Sequence, residues 1–346
     1  MFTRAAFPPR LAFLIGGSEG IGLATARELA RTGCTVVLFG RSEAKLRAAL
    51  ASLPATGGSR NAAHTGAGDP EDLTPGGGPE VPRAEARDRE DLTPGGRPDA
   101  PRAEAANPED VTTGVGPSTV ASHAGRQPRD VGHSSPAPAP AHAAHVLDVR
   151  DRTLTEEVLA RAVAEQGTPD LVLVTAGYAR AAWLGEDAQG LAEDMIAVDL
   201  LGSINAARAV VPALRAAGGG RLVLTSSLAG LVAVPGYTAY SAAKFGVIGF
   251  ADALRREVRR DGIRVSVLCP PNTTTPGFAA ENVDKPAEVL ASEEKVRTLP
   301  PEDVAAALLR ALPRSPRLIV PGADSRLAAL AVRLFPWIGD VALRRK

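Results

Sequence analysis

The chain has 346 residues, 45% of them hydrophobic, and its 39 basic and 39 acidic residues give a formal net charge of zero. This balance argues against a general nucleic-acid binder, because such a protein needs a basic excess to offset phosphate charge. The two cysteines, Cys34 and Cys269, are too few for a disulfide framework or a cysteine-rich zinc site. No uncharged apolar run is long enough to span a membrane, and the N-terminus lacks a signal-peptide pattern, so we expect a cytoplasmic protein.

Residues 54–142 differ in composition from the rest of the chain. They contain no aromatic residue, hold nearly half of the 29 prolines, and include tandem 19-residue repeats that begin at Glu71 and Glu90. Such a segment cannot bury enough apolar surface to offset the entropy that it would lose on ordering. We therefore predict a disordered and largely inert insertion at 54–142. A partner-binding loop is the alternative.

The remaining sequence alternates short apolar runs with helical patterns. Strands that are apolar along their whole length are typical of a parallel sheet covered on both faces. The alternation predicts an α/β fold with a doubly wound, Rossmann-type parallel sheet, in a discontinuous catalytic domain of residues 1–53 and 143–322. The predicted strands are 11–16, 35–40, 145–149, 171–177, 221–227, 264–270 and 317–322, and the helical patterns include 24–32, 153–165, 193–217 and 241–260.

A glycine-rich turn follows the first predicted strand and opens a helix. Gly16 permits a tight turn, Gly20 lets the backbone approach a pyrophosphate, and Gly22 lets the helix pack closely on the sheet. The amino end of that helix favours phosphate. The turn therefore predicts a dinucleotide site, with a plain flexible loop as the alternative; its residues are Gly16, Ser18, Glu19, Gly20, Ile21 and Gly22.

The end of the second predicted strand indicates which dinucleotide is bound. Arg41 follows this strand, with Lys45 one helical turn further on. An NAD-selective site usually has an acidic residue here, so the basic pair favours the additional phosphate of NADPH. Glu19 would oppose that phosphate if it lies nearby, and Arg41 could instead be a solvated residue at a helix start.

Three residues carry the predicted chemistry. Tyr240 and Lys244 lie one helical turn apart on the same face, and Ser227 ends an upstream strand. An ammonium beside a phenol lowers the pKa of the phenol, and a serine hydroxyl can hold a carbonyl oxygen. We therefore predict carbonyl reduction with Tyr240 as the general acid. Tyr237 is the alternative phenol, but its spacing from Lys244 and Ser227 is less suitable.

Together these motifs resemble the short-chain dehydrogenase/reductase family over essentially the whole chain outside the insertion. The strand end with Asp148, the TAG sequence at 175–177 and the CPP sequence at 269–271 also match. The resemblance implies NADP(H) contacts by Asp148 and Val149 at the adenine, by Ala176 and Gly177 along the dinucleotide, by Lys244 at the ribose, and by Pro270, Thr273 and Thr275 near the nicotinamide.

The segments 225–246 and 270–286 have a narrower resemblance to the 3-ketodihydrosphingosine reductases, a group within this family. It implies NADPH-dependent reduction of a long-chain 3-keto lipid. The apolar C-terminal segment, 323–346, carries interspersed arginines and could lie in a membrane interface. It could equally pack on the domain or on a partner subunit. The resemblance also implies a homodimer or homotetramer that forms through the helices at 193–217 and 241–260.

One departure from the family concerns Asp199, which stands where the family has a catalytic asparagine. Its carboxylate could hold the same water or pair with Lys244, but it adds a negative charge near the phenolate. We expect activity with an altered pH profile. The alternatives are a family oxidoreductase acting on another apolar ketone or alcohol, and a catalytically weak NADP-binding regulatory or scaffold protein. All five histidines lie in or beside the insertion, so we expect no metal site or histidine catalysis.

Overall fold

The computed structural model describes residues 7–55, 141–283, 285–293 and 296–342. Most of the segment predicted to be a disordered insertion, residues 56–140, lies outside these described residues. The alternative prediction of a partner-binding loop falls on the same residues.

A parallel sheet of seven strands forms the centre of the fold. The strand order is β3-β2-β1-β4-β5-β6-β7, so the chain adds strands first on one side of β1 and then on the other. This is the arrangement of a doubly wound sheet, and the predicted fold class is confirmed. The strands are β1 (Leu11–Ile15), β2 (Thr35–Gly40), β3 (Ala143–Val146), β4 (Leu171–Val174), β5 (Gly220–Thr225), β6 (Ile263–Leu268) and β7 (Leu318–Ile319).

Helices connect the strands and cover both faces of the sheet. In chain order they are α1 (Gly20–Arg31), α2 (Glu43–Ala51), α3 (Arg152–Gln166), α4 (Leu191–Ala216), α5 (Thr238–Glu257), α6 (Pro276–Glu281), α7 (Ala287–Glu293), α8 (Pro301–Ala311), α9 (Ala323–Leu334) and α10 (Trp337–Ala342). Helix α4 contains a π-helical segment at Ile196–Leu201.

The side chains of β1 explain why its sequence is apolar throughout. Phe13 and Ile15 point into the core on one face of the sheet, whereas Ala12 and Leu14 point into the core on the other face. All four are buried almost completely. Because helices cover both faces, no position in this strand is left for a polar side chain. The burial of both faces places the polar residues at the strand ends, where the loops form the site.

All predicted elements except the strand at 35–40 have somewhat different bounds in the structure. The strand predicted at 145–149 begins earlier and covers only Ala143–Val146. The last predicted strand is reduced to Leu318–Ile319. The helix predicted at 193–217 begins at Leu191 and ends at Ala216. The earlier strand ends place Asp148, Val149, Ala176, Gly177 and Ser227 in the loops after β3, β4 and β5.

The two ends of the predicted insertion meet at His142. The backbone N–H of Val36 donates to Nδ1 of His142 at 3.0 Å, and Nε2 of the same ring lies 2.9 Å from the carbonyl oxygen of Pro54. Since the Pro54 oxygen can only accept, Nε2 carries the proton and Nδ1 is the acceptor. The chain therefore leaves the sheet after α2 and returns to it at β3 within a short distance.

One helix in the described part of the chain has the length and composition of a membrane span. It is α4, with a mean hydropathy of 1.3 over its most apolar window. More than half of that window is buried inside the fold, where Val210 and Leu214 belong to the core. The helix is therefore accounted for as a core helix.

Candidate active site

A cavity of about 830 Å³ lies at the carboxyl ends of the strands. Open parallel sheets bind their ligands at this edge, next to the point where the strand order reverses. Here that point lies between β1 and β4. The loops that follow β1, β2, β4, β5 and β6 all contribute to its lining, and helices α9 and α10 close one side.

The predicted glycine turn forms the floor of the cavity after β1. Gly16 has a φ of +92°, which side chains rarely tolerate, and a Cβ atom there would lie 2.4 Å from the backbone nitrogen of Ala176. A Cβ atom on Gly22 would lie 2.4 Å from the carbonyl oxygen of Gly16. Both positions therefore require glycine, and the absence of side chains opens a cradle at the amino end of α1.

The end of β2 carries the residues expected to select the cofactor. Arg41 is exposed and lines the cavity. Lys45 is not among the lining residues; its Nζ atom instead forms an ion pair with Oε2 of Glu19 at 2.7 Å. The structure thus leaves Arg41 as the basic side chain at this end, and the charge of the lining residue Glu19 is balanced by Lys45.

Tyr240 and Ser227 come together as the sequence predicts. Ser227 follows β5, and its Oγ atom accepts a hydrogen bond from the backbone of Ala229 at 3.1 Å. The hydroxyl groups of Tyr240 and Ser227 also form a hydrogen bond, which lowers the pKa of the phenol. Burial and the negative charge of Asp199 act in the opposite direction and prevail, so the pKa of Tyr240 is raised. Lys244, which was expected to lower this pKa, is not among its main influences in this structure.

Lys244 lies one turn after Tyr240 on α5 and is almost completely buried. Its Nζ atom is 5.5 Å from the centre of the Tyr240 ring and donates to the carbonyl oxygen of Thr225 at 3.2 Å. It also lies 3.2 Å from Oδ1 of Asp199. The ammonium is thus held beside the phenol by one backbone carbonyl and one carboxylate.

Asp199 is the most deeply buried acidic residue of the site. The backbone N–H of Tyr178 donates to its Oδ1 atom at 3.1 Å, whereas Oδ2 has no hydrogen-bond partner within the described ranges. Burial raises the pKa of this carboxyl, against the lowering effect of Lys244. A Cβ atom on Gly177 would lie 2.2 Å from Oδ1. Asp199 does not line the cavity itself; it contacts Lys244, and its charge contributes to the raised pKa of Tyr240.

The cavity brings most of the predicted residues together. The exceptions are Lys45, Asp199 and Pro270, since the adjacent Pro271 takes the place of Pro270 in the lining. The predicted residues that do line it are Gly16, Ser18, Glu19, Gly20, Ile21, Gly22, Arg41, Asp148, Val149, Ala176, Gly177, Ser227, Tyr240, Lys244, Thr273 and Thr275.

A polar network around Asp148 was not predicted. Arg150 binds Asp148 and Asp194, each at 2.6 Å, and the hydroxyl of Tyr178 donates to Asp194 at 2.5 Å. The hydrogen bond from Arg150, together with the more distant charge of Arg41, holds the pKa of Asp148 below its usual range. The network fixes Asp148 as an ionised acceptor on the cavity wall.

A second unpredicted cluster lies next to Tyr240. The hydroxyl of Tyr237 contacts Oε1 of Glu281 and lies 2.7 Å from Oε1 of Glu293. Lys285 forms ion pairs with both carboxylates, at 3.2 Å and 2.5 Å. Burial and the two carboxylates raise the pKa of Tyr237, so this phenol stays protonated. Tyr237 is therefore engaged in the cluster and is not placed as a second acid at Ser227.

Known proteins resemble this chain in sequence and in fold. The family model described as "short chain dehydrogenase" matches residues 10–74 and 124–286. A 3-ketodihydrosphingosine reductase of Bos taurus is 35% identical over 161 residues, which are 46% of this chain and 48% of the relative. One of Dictyostelium discoideum is 32% identical over 187 residues, or 53% and 56% of the two chains. The chain thus spans about half the length of these reductases.

Two further similarities extend the comparison. The putative oxidoreductase SadH of Mycobacterium tuberculosis is 32% identical over 216 residues, which are 55% of this chain and 77% of the relative. An alcohol dehydrogenase of Thermococcus sibiricus, solved in complex with 5-hydroxy-NADP, has the same fold, with a TM-score of 0.57, 19% identity, and coverage of 90% and 94%. Because the family model matches more than half of its length, the chain belongs to the short-chain dehydrogenase family of oxidoreductases.

Proposed function

We propose that this protein is an NADPH-dependent reductase of a long-chain 3-keto lipid such as 3-ketodihydrosphingosine. The observation that carries the proposal is the convergence of Ser227, Tyr240 and Lys244 beside the glycine turn in one cavity. Proton donor, carbonyl-binding hydroxyl and dinucleotide cradle are the parts that a carbonyl reduction needs.

The residues of the cavity fit a dinucleotide phosphate. Gly16 and Gly22 leave a cradle that Cβ atoms would fill, and the amino end of α1 faces it. Asp148 offers an ionised acceptor at the adenine end, and Arg41 offers a guanidinium for a phosphate on the adenine ribose. When bound, NADPH supplies the hydride.

The side chains of this chain account for the proton and the orientation of the substrate. The Ser227 hydroxyl donates a hydrogen bond to the carbonyl oxygen, and Tyr240 transfers its proton to that oxygen as the alcohol forms. A raised pKa keeps Tyr240 protonated, as an acid must be. Lys244 stabilises the phenolate that remains, from its position 5.5 Å from the ring.

The substrate end of the cavity supports a lipid-like ketone. Its lining there is mostly apolar and comes from the loop between β5 and α5, from the segment between β6 and α8, and from α9 and α10. The names of the relatives, 3-ketodihydrosphingosine reductase and 3-dehydrosphinganine reductase, give the same substrate class. The apolar lining residues of this end are Val232, Val234, Phe278, Val296, Leu299, Ala328, Ala331, Val332 and Ile338.

We extend the proposal to a cytoplasmic protein in peripheral contact with a membrane through its C-terminal helices. The outer side of α9 and the chain after it expose Leu327, Leu330, Leu334, Phe335 and Trp337, while other residues of the same helices line the cavity. Helices that contact the bilayer on one side and line the cavity on the other suit a long-chain substrate, because such a substrate is dissolved in the bilayer. We also propose a homodimer or homotetramer, since α4 and α5 expose Leu201 and Phe245.

Purified protein mixed with NADPH and 3-ketodihydrosphingosine tests the proposal by the loss of absorbance at the NADPH band. We expect consumption of NADPH and formation of the amino diol. Consumption of NADPH only with other apolar ketones would indicate a reductase of the same family that acts on a different class of substrate. Tight NADPH binding without turnover on a broad ketone panel would instead support a regulatory or scaffold protein.

A further inference from the structure

We infer that Glu281 and Glu293 form a recognition site for a primary ammonium group on the carbon next to the carbonyl of the substrate. The inference rests on the proposed function and adds to it the feature by which the site selects its ketone. It is carried by the cluster of Tyr237, Glu281, Lys285 and Glu293, which adjoins Tyr240.

The cluster has an excess of negative charge. It contains two carboxylates, one ammonium and a phenol that stays protonated, so its formal net charge is −1. The Tyr237 hydroxyl has a single proton for two carboxylate neighbours, Glu281 and Glu293. Tyr237 and Lys285 therefore leave one of the two negative charges without a compensating positive charge. An uncompensated carboxylate away from bulk water is costly in free energy.

The arrangement directs this excess toward the cavity. Tyr237, Glu281 and Glu293 line the cavity, whereas Lys285 does not. The Lys285 side chain is fully buried, with its Nζ atom 5.4 Å and 5.1 Å from the ring centres of Tyr237 and Phe278. Lys285 therefore lies behind the cluster, and Glu281 and Glu293 are its charged side chains that line the cavity. Arg297 also lines the cavity, but it is exposed, and water screens its charge.

The cluster lies close to the reacting carbonyl. The rings of Tyr237 and Tyr240 are 5.9 Å apart, and the charge of Glu281 contributes to the raised pKa of Tyr240. A substrate whose carbonyl oxygen meets Tyr240 would therefore place the adjacent carbon near Glu281. A primary ammonium has three N–H donors, and two carboxylates with the Tyr237 oxygen supply three acceptors.

The test compares two ketones that differ only in the amine. One is 3-ketodihydrosphingosine, and the other has the same chain and hydroxyl with hydrogen in place of the amine. The readout is the ratio of their kcat/KM values, with NADPH saturating. We expect the native protein to prefer the amino ketone about ten-fold or more, mainly through KM, since a hydrogen bond to a charged group is worth that much.

The variants Glu281→Gln and Glu293→Gln each remove one negative charge and keep the side-chain shape. We expect the preference to fall about ten-fold in Glu281→Gln and to fall also in Glu293→Gln. Glu288→Gln is the matched control, because Glu288 is exposed on the same short helix as Glu293 and does not line the cavity. It should keep the native ratio. Equal losses on both ketones in Glu281→Gln would mean a structural role and would overturn the inference.

Failure of the proposed function gives a different result. If the native protein reduces neither ketone, the function is wrong, and the inference is then decided by binding. The saturated amino diol and its deaminated analogue are titrated into the NADP⁺-loaded protein by calorimetry. Preference for the amino diol that is lost in Glu281→Gln supports the ammonium site, and equal binding of both diols overturns it.

Discussion

The Nζ atom of Lys244 lies 3.2 Å from Oδ1 of Asp199, and both side chains are buried. An ion pair at this depth is held by the fold, because separating the partners would leave an uncompensated charge away from water. The pair has two effects on the site. It keeps Lys244 beside Tyr240, and it brings a negative charge that disfavours the phenolate.

The first prediction concerns Asp199→Asn and the pH dependence of activity. The charge of Asp199 contributes to the raised pKa of Tyr240, so a neutral amide should lower that pKa. In the direction of alcohol oxidation the phenolate is the base, and kcat/KM rises with pH through this pKa. The rise should therefore occur at lower pH in the variant. Rates measured across the pH range give the comparison.

The control for this prediction is Asp194→Asn. Asp194 is also an acidic residue of α4, but its charge is paired with Arg150, and it is not among the main influences on the pKa of Tyr240. Its profile should match that of the native protein. Coincident profiles for the native protein and Asp199→Asn would show that Asp199 has no influence on the acid.

The contrast between the predicted and the unpredicted residues has a physical reason. Tyr240 and Lys244 could be predicted because four residues on a helix fix their separation. Ser227 could be predicted because strand ends of a parallel sheet meet at one edge. Glu281 and Glu293 could not, since their meeting with Tyr237 depends on how two short helices fold back over the site. Their only sequence signal is the four-residue spacing of Glu281 and Lys285.

The same reasoning applies to the fold. The apolar run of β1 predicted its strand because helices cover both faces of the sheet. The end of the strand predicted at 145–149 was wrong: Leu147 is buried and apolar like a strand residue, but the strand ends at Val146. An apolar run indicates which residues are buried. It does not indicate where the backbone pairing between two strands stops. The pairing of Lys45 with Glu19 also depends on side-chain directions that spacing does not fix.

The second prediction separates the two tyrosines of the site. Tyr240→Phe removes the proton donor and should lower kcat by about 10²- to 10⁴-fold, while the Kd for NADPH stays near its native value. Tyr237→Phe should lower kcat by less than about ten-fold, because the hydroxyl of Tyr237 is directed at Glu281 and Glu293. Steady-state rates and fluorescence titration with NADPH measure both quantities. A larger loss in Tyr237→Phe would reverse the assignment of the acid.

The third prediction concerns the preference for NADPH over NADH. Arg41→Gln should weaken NADPH binding by about ten-fold or more and leave NADH binding nearly unchanged, because only NADPH offers a phosphate to the guanidinium. Equilibrium titration with each cofactor gives the two Kd values. Equal weakening of both would indicate that Arg41 does not contact the phosphate.

Glu19→Gln should change the preference for NADPH in the opposite direction to Arg41→Gln. The carboxylate of Glu19 now holds Lys45 at 2.7 Å, away from the cavity lining. Its removal should free the ammonium of Lys45 and remove a repulsive charge, so NADPH should bind more tightly relative to NADH. A decrease in the relative affinity for NADPH would contradict this account of the pair.

The fourth prediction is that residues 57–141 can be deleted with little change in Tm or kcat. Pro54 and His142 are joined by a hydrogen bond of 2.9 Å, so the two ends of the deleted segment already meet. Thermal unfolding and steady-state turnover of the shortened chain provide the test. Loss of soluble protein would show that the segment supports the fold. His142→Ala, which removes both ring hydrogen bonds, should by contrast lower stability by about 1–3 kcal/mol.

The last prediction concerns the exposed apolar side of α9. Leu327 and Leu334 are 69% and 60% exposed, and Arg326 and Arg333 lie beside them in the sequence. Apolar side chains flanked by arginines favour binding to an anionic bilayer surface. We therefore expect the protein to sediment with phosphatidylcholine vesicles that contain phosphatidylserine, and to do so less at high salt.

Leu327→Glu with Leu334→Glu should abolish this sedimentation, because each leucine contributes about 1.5–3 kcal/mol when it leaves water. Leu184→Glu is the matched control: Leu184 is 83% exposed but lies outside α9 and α10. It should sediment like the native protein. Turnover of the ketone presented in vesicles should fall with sedimentation, whereas turnover of a short soluble ketone should not. Undiminished sedimentation of the double variant would show that the bilayer contact lies elsewhere.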